Sequence, residues 1–364
     1  MQRFAWCLAM GLALGLGLAA EPLLAQAGKE WGVEHQTYND PVTGITVTEL
    51  TGRSVKSTNL YYHFPNFTAG DANVIFTSNR GGSTQIFRYE LATGKVVQLT
   101  DDPKTSASTA CPDPVDASTI YYYRGADLMK VSPQGESRKV ATVPGIEGGL
   151  HQPTLSGDRK HITAAFQRDA QTWEIGLIEL ATGAYRRVIR QGFRIGHVQH
   201  SPTDPLIFYV WETGGYAPQR SWLVNADGTG NRPFYHRTDP KSWFTPLKEW
   251  VTHEAWVPKT GQMTMIIDKV GVILVEKSGE SRMLKEGNFW HAAASPDGRR
   301  VVLDDFQGRL WLLDARTGSL KLLVTGLRDT ERAVHAHASF NHAGNRILFN
   351  SGRTHQTVAM ISIE

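Results

Sequence analysis

Two histidines stand one residue apart near the C-terminus, in Arg332-Ala-Val-His335-Ala-His337-Ala-Ser-Phe340. In an extended strand, residues i and i+2 face the same side. The two imidazoles could therefore share one metal ion, given a third ligand from elsewhere. An isolated His-x-His is more often a polar pair at a solvated strand edge, so the rest of the chain has to supply that ligand. The other candidates are not scattered. His63, His151, His197, His253 and His291 each stand shortly before a turn, as in His291-Ala-Ala-Ala-Ser-Pro-Asp-Gly298, and the His335/His337 pair does the same. Thirteen histidines placed at random would not favour one such position. The plain alternative is a structural polar site, with each His bonding the backbone of a neighbouring unit. His35, His161, His236, His342 and His355 lie elsewhere and read as surface or turn residues.

The elements that carry these histidines are short β-rich runs broken by Gly, Asp and Asn turns, with no convincing amphipathic helix. A strand ending in an acidic or polar residue and followed by a Gly hairpin recurs. It is seen in Glu90-Leu-Ala-Thr-Gly94, Val131-Ser-Pro-Gln-Gly135, Glu179-Leu-Ala-Thr-Gly183, Asn225-Ala-Asp-Gly228, Glu276-Lys-Ser-Gly279 and Asp314-Ala-Arg-Thr-Gly318. Gly suits a hairpin position of positive φ. A period of roughly 40–50 residues with four strands per unit is the signature of a β-propeller. The units fall at about 60–105, 106–147, 148–193, 194–247, 248–288, 289–330 and 331–364. The last is one strand short, and Val47-Thr-Glu-Leu-Thr51 resembles Val97-Gln-Leu-Thr100, the final strand of the first unit. The expected fold is all-β: a single seven-bladed propeller over 45–364, its last blade closed by an N-terminal strand that removes two exposed edges. The histidines then sit at the start of the inner strand in six units of the seven, where ligands gather at one mouth of the central channel. Only the second unit lacks one.

Residues 1–27 read as a secretory signal peptide: Arg3, an apolar run from Phe4 to Ala20, and an Ala25-Gln-Ala27 cleavage site. The alternative is an uncleaved anchor, for which the run is short. Residues 28–44 read as a loose N-terminal extension. Cys7 leaves with the leader, and Cys111 then has no intrachain partner. Export without disulfides fits a periplasmic or secreted protein with a large core of its own. The 364 residues, 41% hydrophobic and 20% charged, can bury such a core. A net charge of +3 carries no field that would argue for nucleic acid, and no membrane span is expected after leader removal.

Several of these stretches resemble one family. Gly196-His-Val-Gln-His-Ser-Pro-Thr-Asp204, Gln219-Arg-Ser-Trp-Leu-Val-Asn-Ala-Asp-Gly-Thr-Gly-Asn-Arg-Pro233, Val251-Thr-His-Glu254 and His335-Ala-His-Ala-Ser-Phe340 are similar to oligogalacturonate lyase, a propeller polysaccharide lyase. The first units, with Phe76-Thr-Ser-Asn-Arg-Gly-Gly82, resemble periplasmic propellers in general. The resemblance implies β-elimination on short galacturonate chains, with a divalent metal, manganese, held by three histidines and a glutamine. It places the ligands at His291, His335 and His337, the base at His253, a substrate-binding arginine at Arg220 and a substrate-contacting histidine at His151. His197 is a further substrate-binding candidate. The family glutamine falls at Arg332, which cannot ligate a metal. Either Arg332 swings outward and water completes the coordination, or the metal site is altered or absent, which also leaves open a substrate other than galacturonate.

The chemistry would need these residue types. Removing the C5 proton of a uronate builds charge on a carboxylate that is already anionic, which a metal or an Arg must neutralise. Arg suits a bidentate carboxylate grip, and an imidazole is a base available at neutral pH. Trp211, Tyr216, Trp243, Trp250, Trp256 and Trp290 cluster in the same units and read mainly as packing between blades. The competing class is a non-catalytic periplasmic propeller binding a protein or glycan. A propeller peptidase is disfavoured, because no Gly-x-Ser-x-Gly elbow is present.

Overall fold

The computed structural model describes residues 26–213, 217–236, 249–328, 334–353 and 355–363. Residues 1–25, which hold most of the expected leader, lie outside these described residues, as do Tyr216, Trp243 and Arg332. Within them the chain forms seven antiparallel sheets in sequence order, with only one 3₁₀ turn, Ala69–Asp71, outside the strands. The six hairpin glycines named above all have φ between 72° and 93°. This is the left-handed region that a Cβ disfavours, and it is why Gly recurs at that point of the repeat.

Blade position sets strand composition. In the fifth blade the middle strands Met263–Ile267 and Gly271–Val275 are buried along their whole length. Each face of such a strand packs on a neighbouring blade, so the sequence is a continuous apolar run rather than an alternation. The outer strand Ser281–Glu286 is mostly exposed and charged. Apolar clusters fill the wedges between blades; Val272 and Leu274 of one blade, for example, meet Leu303 and Leu313 of the next. Cys111 is free and buried, and burial pushes its thiol up to about 12, so it behaves as a small apolar residue.

The ring closes as the sequence implies. Thr46–Glu49 pairs with Thr357–Ser362, in the register Ala359 to Glu49 and Met360 to Thr48. The extension is more ordered than a loose segment. Gln36–Asn39 adds a fifth strand beyond Thr46–Glu49 on the seventh blade. Glu30–Val33 adds a fifth strand to Lys95–Gln98 on the first. The N-terminal segment thus straps the two blades that meet at the closure. Buried Asp40 accepts bonds from the Thr325 N–H (2.7 Å) and hydroxyl (3.0 Å), tying the strap to the sixth blade as well. The third blade is short of an inner strand. Its ladder there reduces to the bridge Leu155–Ile162, because Pro153 offers no donor and the Thr163 hydroxyl accepts the Thr154 N–H instead.

Candidate metal centre and active site

The inner strands are not regular where the histidines stand. The register shifts between Gly196 and Gln199, between Thr252 and Ala255, and between Phe289 and His291. Three histidines occupy left-handed backbone: His197 at φ 45°, His253 at φ 53° and His337 at φ 45°. Such residues are uncommon outside Gly and cost on the order of 1–3 kcal/mol each. A β-bulge here takes the extra residue out of the ladder and re-aims its side chain. The rings consequently converge. The centroids of His253 and His291 are 4.3 Å apart, His291 and His337 4.8 Å, His335 and His337 5.3 Å, and His291 and His335 5.5 Å.

His291, His335 and His337 can each offer one ring nitrogen so that all three atoms lie within 4.8 Å of one another. His291 is 2% exposed and held at two points by Asp304. Its backbone N–H donates to Oδ1 (2.6 Å), and its Nδ1 lies 3.0 and 2.9 Å from the two carboxylate oxygens. A carboxylate acceptor fixes the proton on Nδ1 and leaves Nε2 as a lone pair. That Nε2 is buried with no hydrogen-bond partner. Burial is the main force that holds His291 and His337 well below the usual histidine range, and it also lowers His335. Burial thus favours the neutral form of all three imidazoles, the form a metal ligand needs. Burial also pushes the Asp304 carboxyl up to about 7, against the bond from the His291 N–H. An orphaned ring nitrogen, an oriented tautomer and an all-imidazole donor set fit a first-row divalent ion.

Beside this trio stands a charged pair. Arg220, expected in a surface hairpin as readily as in a site, is only 4% exposed. Its Nε donates to Oε1 of the fully buried Glu254 at 3.0 Å. The other Glu254 oxygen lies 2.7 Å from His197 Nδ1. Burial opposes the Glu254 charge, but Arg220 and His197 outweigh it and hold the carboxyl well below the carboxylate range. Glu212 flanks the pair, 3.6 Å from Arg220 Nη1 and 3.7 Å from His197 Nε2. His253 is lowered strongly by burial and then by its neighbours His291 and His197, and its Nδ1 has no partner. His151 packs edge-on against Trp173 at 5.1 Å. It is lowered by burial and by Arg194, against the pull of Glu212.

Tyr61, Tyr62 and His63 form the floor. Tyr61 contacts His337 at 4.5 Å and His63 at 4.9 Å, and Tyr62 contacts His291 at 5.3 Å. A cavity of about 490 Å³ is lined by Tyr62 and His63 and, at the turns that follow the inner strands, by Pro202, Pro258, Pro296 and Phe340. None of Arg220, His253, His291, His335 and His337 lines that cavity.

The structure thus places His253, His291, His335 and His337 in one cluster, Arg220 and His197 on its flank through Glu254, His151 further out, and His63 beneath. Sequence reading passed over Asp304, Glu254, Glu212 and Tyr62. Asp304 and Asp305 follow the apolar Val301, Val302 and Leu303 in the strand Arg300–Asp305 and are 3% and 4% exposed; two acids closing a core strand were the available signal. Trp290, read as packing, lies 4.0 Å from the His335 ring and 5.2 Å from His291.

No family model matches the chain, and no curated protein matches it by sequence. Solved structures do match. An oligogalacturonate lyase in complex with manganese shares 20% identity at a TM-score of 0.81, over 93% of this chain and 98% of that one. The oligogalacturonate lyase of Vibrio parahaemolyticus shares 20% identity at a TM-score of 0.80, over 93% and 99%. The RRP9 WD40 repeats share 12% at 0.62, over 90% and 100%. The chain is an all-β seven-bladed propeller whose fold runs the full length of the oligogalacturonate lyase structures.

Proposed function

We propose that the protein is a metal-assisted carbon–oxygen lyase that cleaves oligogalacturonates or related uronate oligosaccharides by β-elimination. The observation that carries this reading is the cluster itself: one buried and two half-buried imidazoles within ligating distance of one another, with the unpartnered Nδ1 of His253 beside them. A fold shared with oligogalacturonate lyases, one of them holding manganese, supports the same choice of substrate class and metal.

His291, His335 and His337 would hold the ion. When bound it supplies Lewis-acid charge against the carboxylate of the sugar being deprotonated. His253 accepts the C5 proton, for which a neutral imidazole is required. The C5–H electron pair forms the C4–C5 double bond, the C4–O4 bond breaks, and the departing oxygen takes up a proton. Arg220, fixed through Nε by Glu254, turns its remaining N–H groups to the substrate. Its Nη1 is buried without a hydrogen-bond partner, so a substrate oxygen would satisfy it. His197 and His151 line the approach to this flank. The leader at 1–27 makes the setting periplasmic or secreted.

The test is incubation with galacturonate oligomers, with and without manganese, following the ultraviolet absorbance of the unsaturated uronate. Absorbance should rise with metal and stop with chelator. His253→Ala should lower the rate by about 10²–10⁴ while metal content stays unchanged. No rise with any uronate overturns the lyase reading in favour of a binding module.

A further inference from the structure

We propose that Arg328 is a substrate-reading residue that grips the carboxylate of the uronate next to the one being cleaved. This inference rests on the lyase reading for the identity of its ligand, and it names a subsite and a specificity.

Arg328 follows the outer strand Leu320–Val324 of the sixth blade. Its guanidinium lies over the Trp290 ring, 5.0 Å from the centroid. Its Nη1 donates to the Phe306 carbonyl at 2.7 Å. Trp290 is itself fixed, stacked on Phe306 at 4.9 Å and 18°. On its other flank Trp290 meets the His335 ring at 4.0 Å. The guanidinium is thus held rigidly, one ring away from a candidate metal ligand.

Its charge is free. Arg220 is paired with Glu254, Arg309 with Asp305 and Arg159 with Asp113. Among the described residues no carboxylate lies within ion-pair distance of Arg328. A cation–π contact and one carbonyl hold the group without neutralising it. The remaining N–H donors form an edge that suits a carboxylate in bidentate fashion. A neutral glycan would leave this charge unanswered. A polyuronate carries a carboxylate on every ring, so its second acid group falls to a cation adjoining the centre that handles the first. The side chain is half-buried, which makes the contact stronger than a surface ion pair.

The experiment uses the metal-loaded wild-type protein and Arg328→Met, which keeps the apolar stem on Trp290 and removes the charge. Binding of digalacturonate and of its monomethyl esters is measured for both by calorimetry. A hydrogen bond to a charged group contributes about 1.5–3 kcal/mol, so the wild type should prefer the diacid over the ester at the neighbouring ring by roughly 10- to 150-fold. Arg328→Met should bind diacid and ester alike, both near the wild-type value for the ester. Undiminished discrimination by Arg328→Met overturns the assignment, and so does an equal loss on both ligands, which would mark a packing role. Wild-type discrimination that vanishes in the variant, without any unsaturated product, would leave the subsite standing and remove the lyase reading alone.

Discussion

Asp304→Asn is the most informative single change at the cluster. The residue is buried, and the three bonds just described all run to His291. Asn is isosteric but keeps only one acceptor oxygen and places an NH₂ where the other stood. With its oxygen on the His291 N–H, the new donor faces Nδ1 and favours the tautomer protonated on Nε2. That proton would occupy the lone pair the ion needs. Loss of an orienting carboxylate behind a ligating His typically weakens metal binding by 10- to 100-fold, about 1.4–2.7 kcal/mol. The metal-free protein should respond with the opposite sign. Burial raises the Asp304 carboxyl to about 7, so its ionised form is disfavoured in the fold, by roughly 1.4 kcal/mol for each pH unit of elevation. Asn carries no charge, so metal-free Asp304→Asn should be as stable as wild type or more so at pH 8. The assay is a manganese titration by calorimetry, with thermal melts in chelator and in excess metal. The variant should lose most of the metal-induced rise in melting temperature without losing metal-free stability. Unchanged manganese affinity would refute the orienting role, and a large metal-free loss would show that Asp304 holds the fold instead.

Acidification should unfold the metal-free protein. His63, His253, His291 and His337 lie well below the usual histidine range, in each case chiefly through burial. A base with a lowered folded pKa is neutral in the fold and protonates in the unfolded chain. Its contribution is full above the unfolded value near 6.5 and is lost as pH falls below it. At up to about 1.4 kcal/mol per pH unit per group, urea midpoints in chelator should drop steeply from pH 7 to 5.5; a flat profile would contradict the neutral cluster. Truncation at the N-terminus should show a threshold. Removing residues before 45 costs two edge strands and should lower the melting temperature by a few degrees. Removing residues through 50 also takes the closing strand, with Val47 and Leu50, 0% and 1% exposed, each worth about 1.5–3 kcal/mol of burial. Similar melting of the two forms would deny the closing strand its role.

The architecture was legible because its determinants are local and repeated. Each hairpin glycine answers a positive-φ requirement, and the short last unit plus a matching N-terminal strand gave the closure. The strands Glu30–Val33 and Gln36–Asn39 were missed because they are short, mostly exposed and stabilised by distant edges, so no apolar alternation announces them. The histidine cluster was legible by its position in the repeat. Its supporting carboxylates were not. Glu254 follows His253 directly, and strict alternation would send it to the opposite face. The bulge between Thr252 and Ala255 breaks that rule, so adjacent residues both serve the site.

The same bulge shapes the charge of the site. Glu254 balances Arg220, and Glu212 stands at ion-pair distance on the other side. That flank offers hydrogen-bond donors without net positive charge. A polyanionic substrate brought there alone would meet two carboxylates and one guanidinium, an unfavourable balance in a partly desolvated pocket. For the proposed substrate, the compensating charge would come from the side of the three imidazoles, which could hold a divalent ion, and from Arg328, which has no carboxylate partner among the described residues. The left-handed backbone at His197, His253 and His337 is consistent with this division. The fold tolerates strain at three positions, aiming His253 and His337 into the imidazole cluster and His197 at Glu254, and would leave the positive charge to the ion that the cluster could gather.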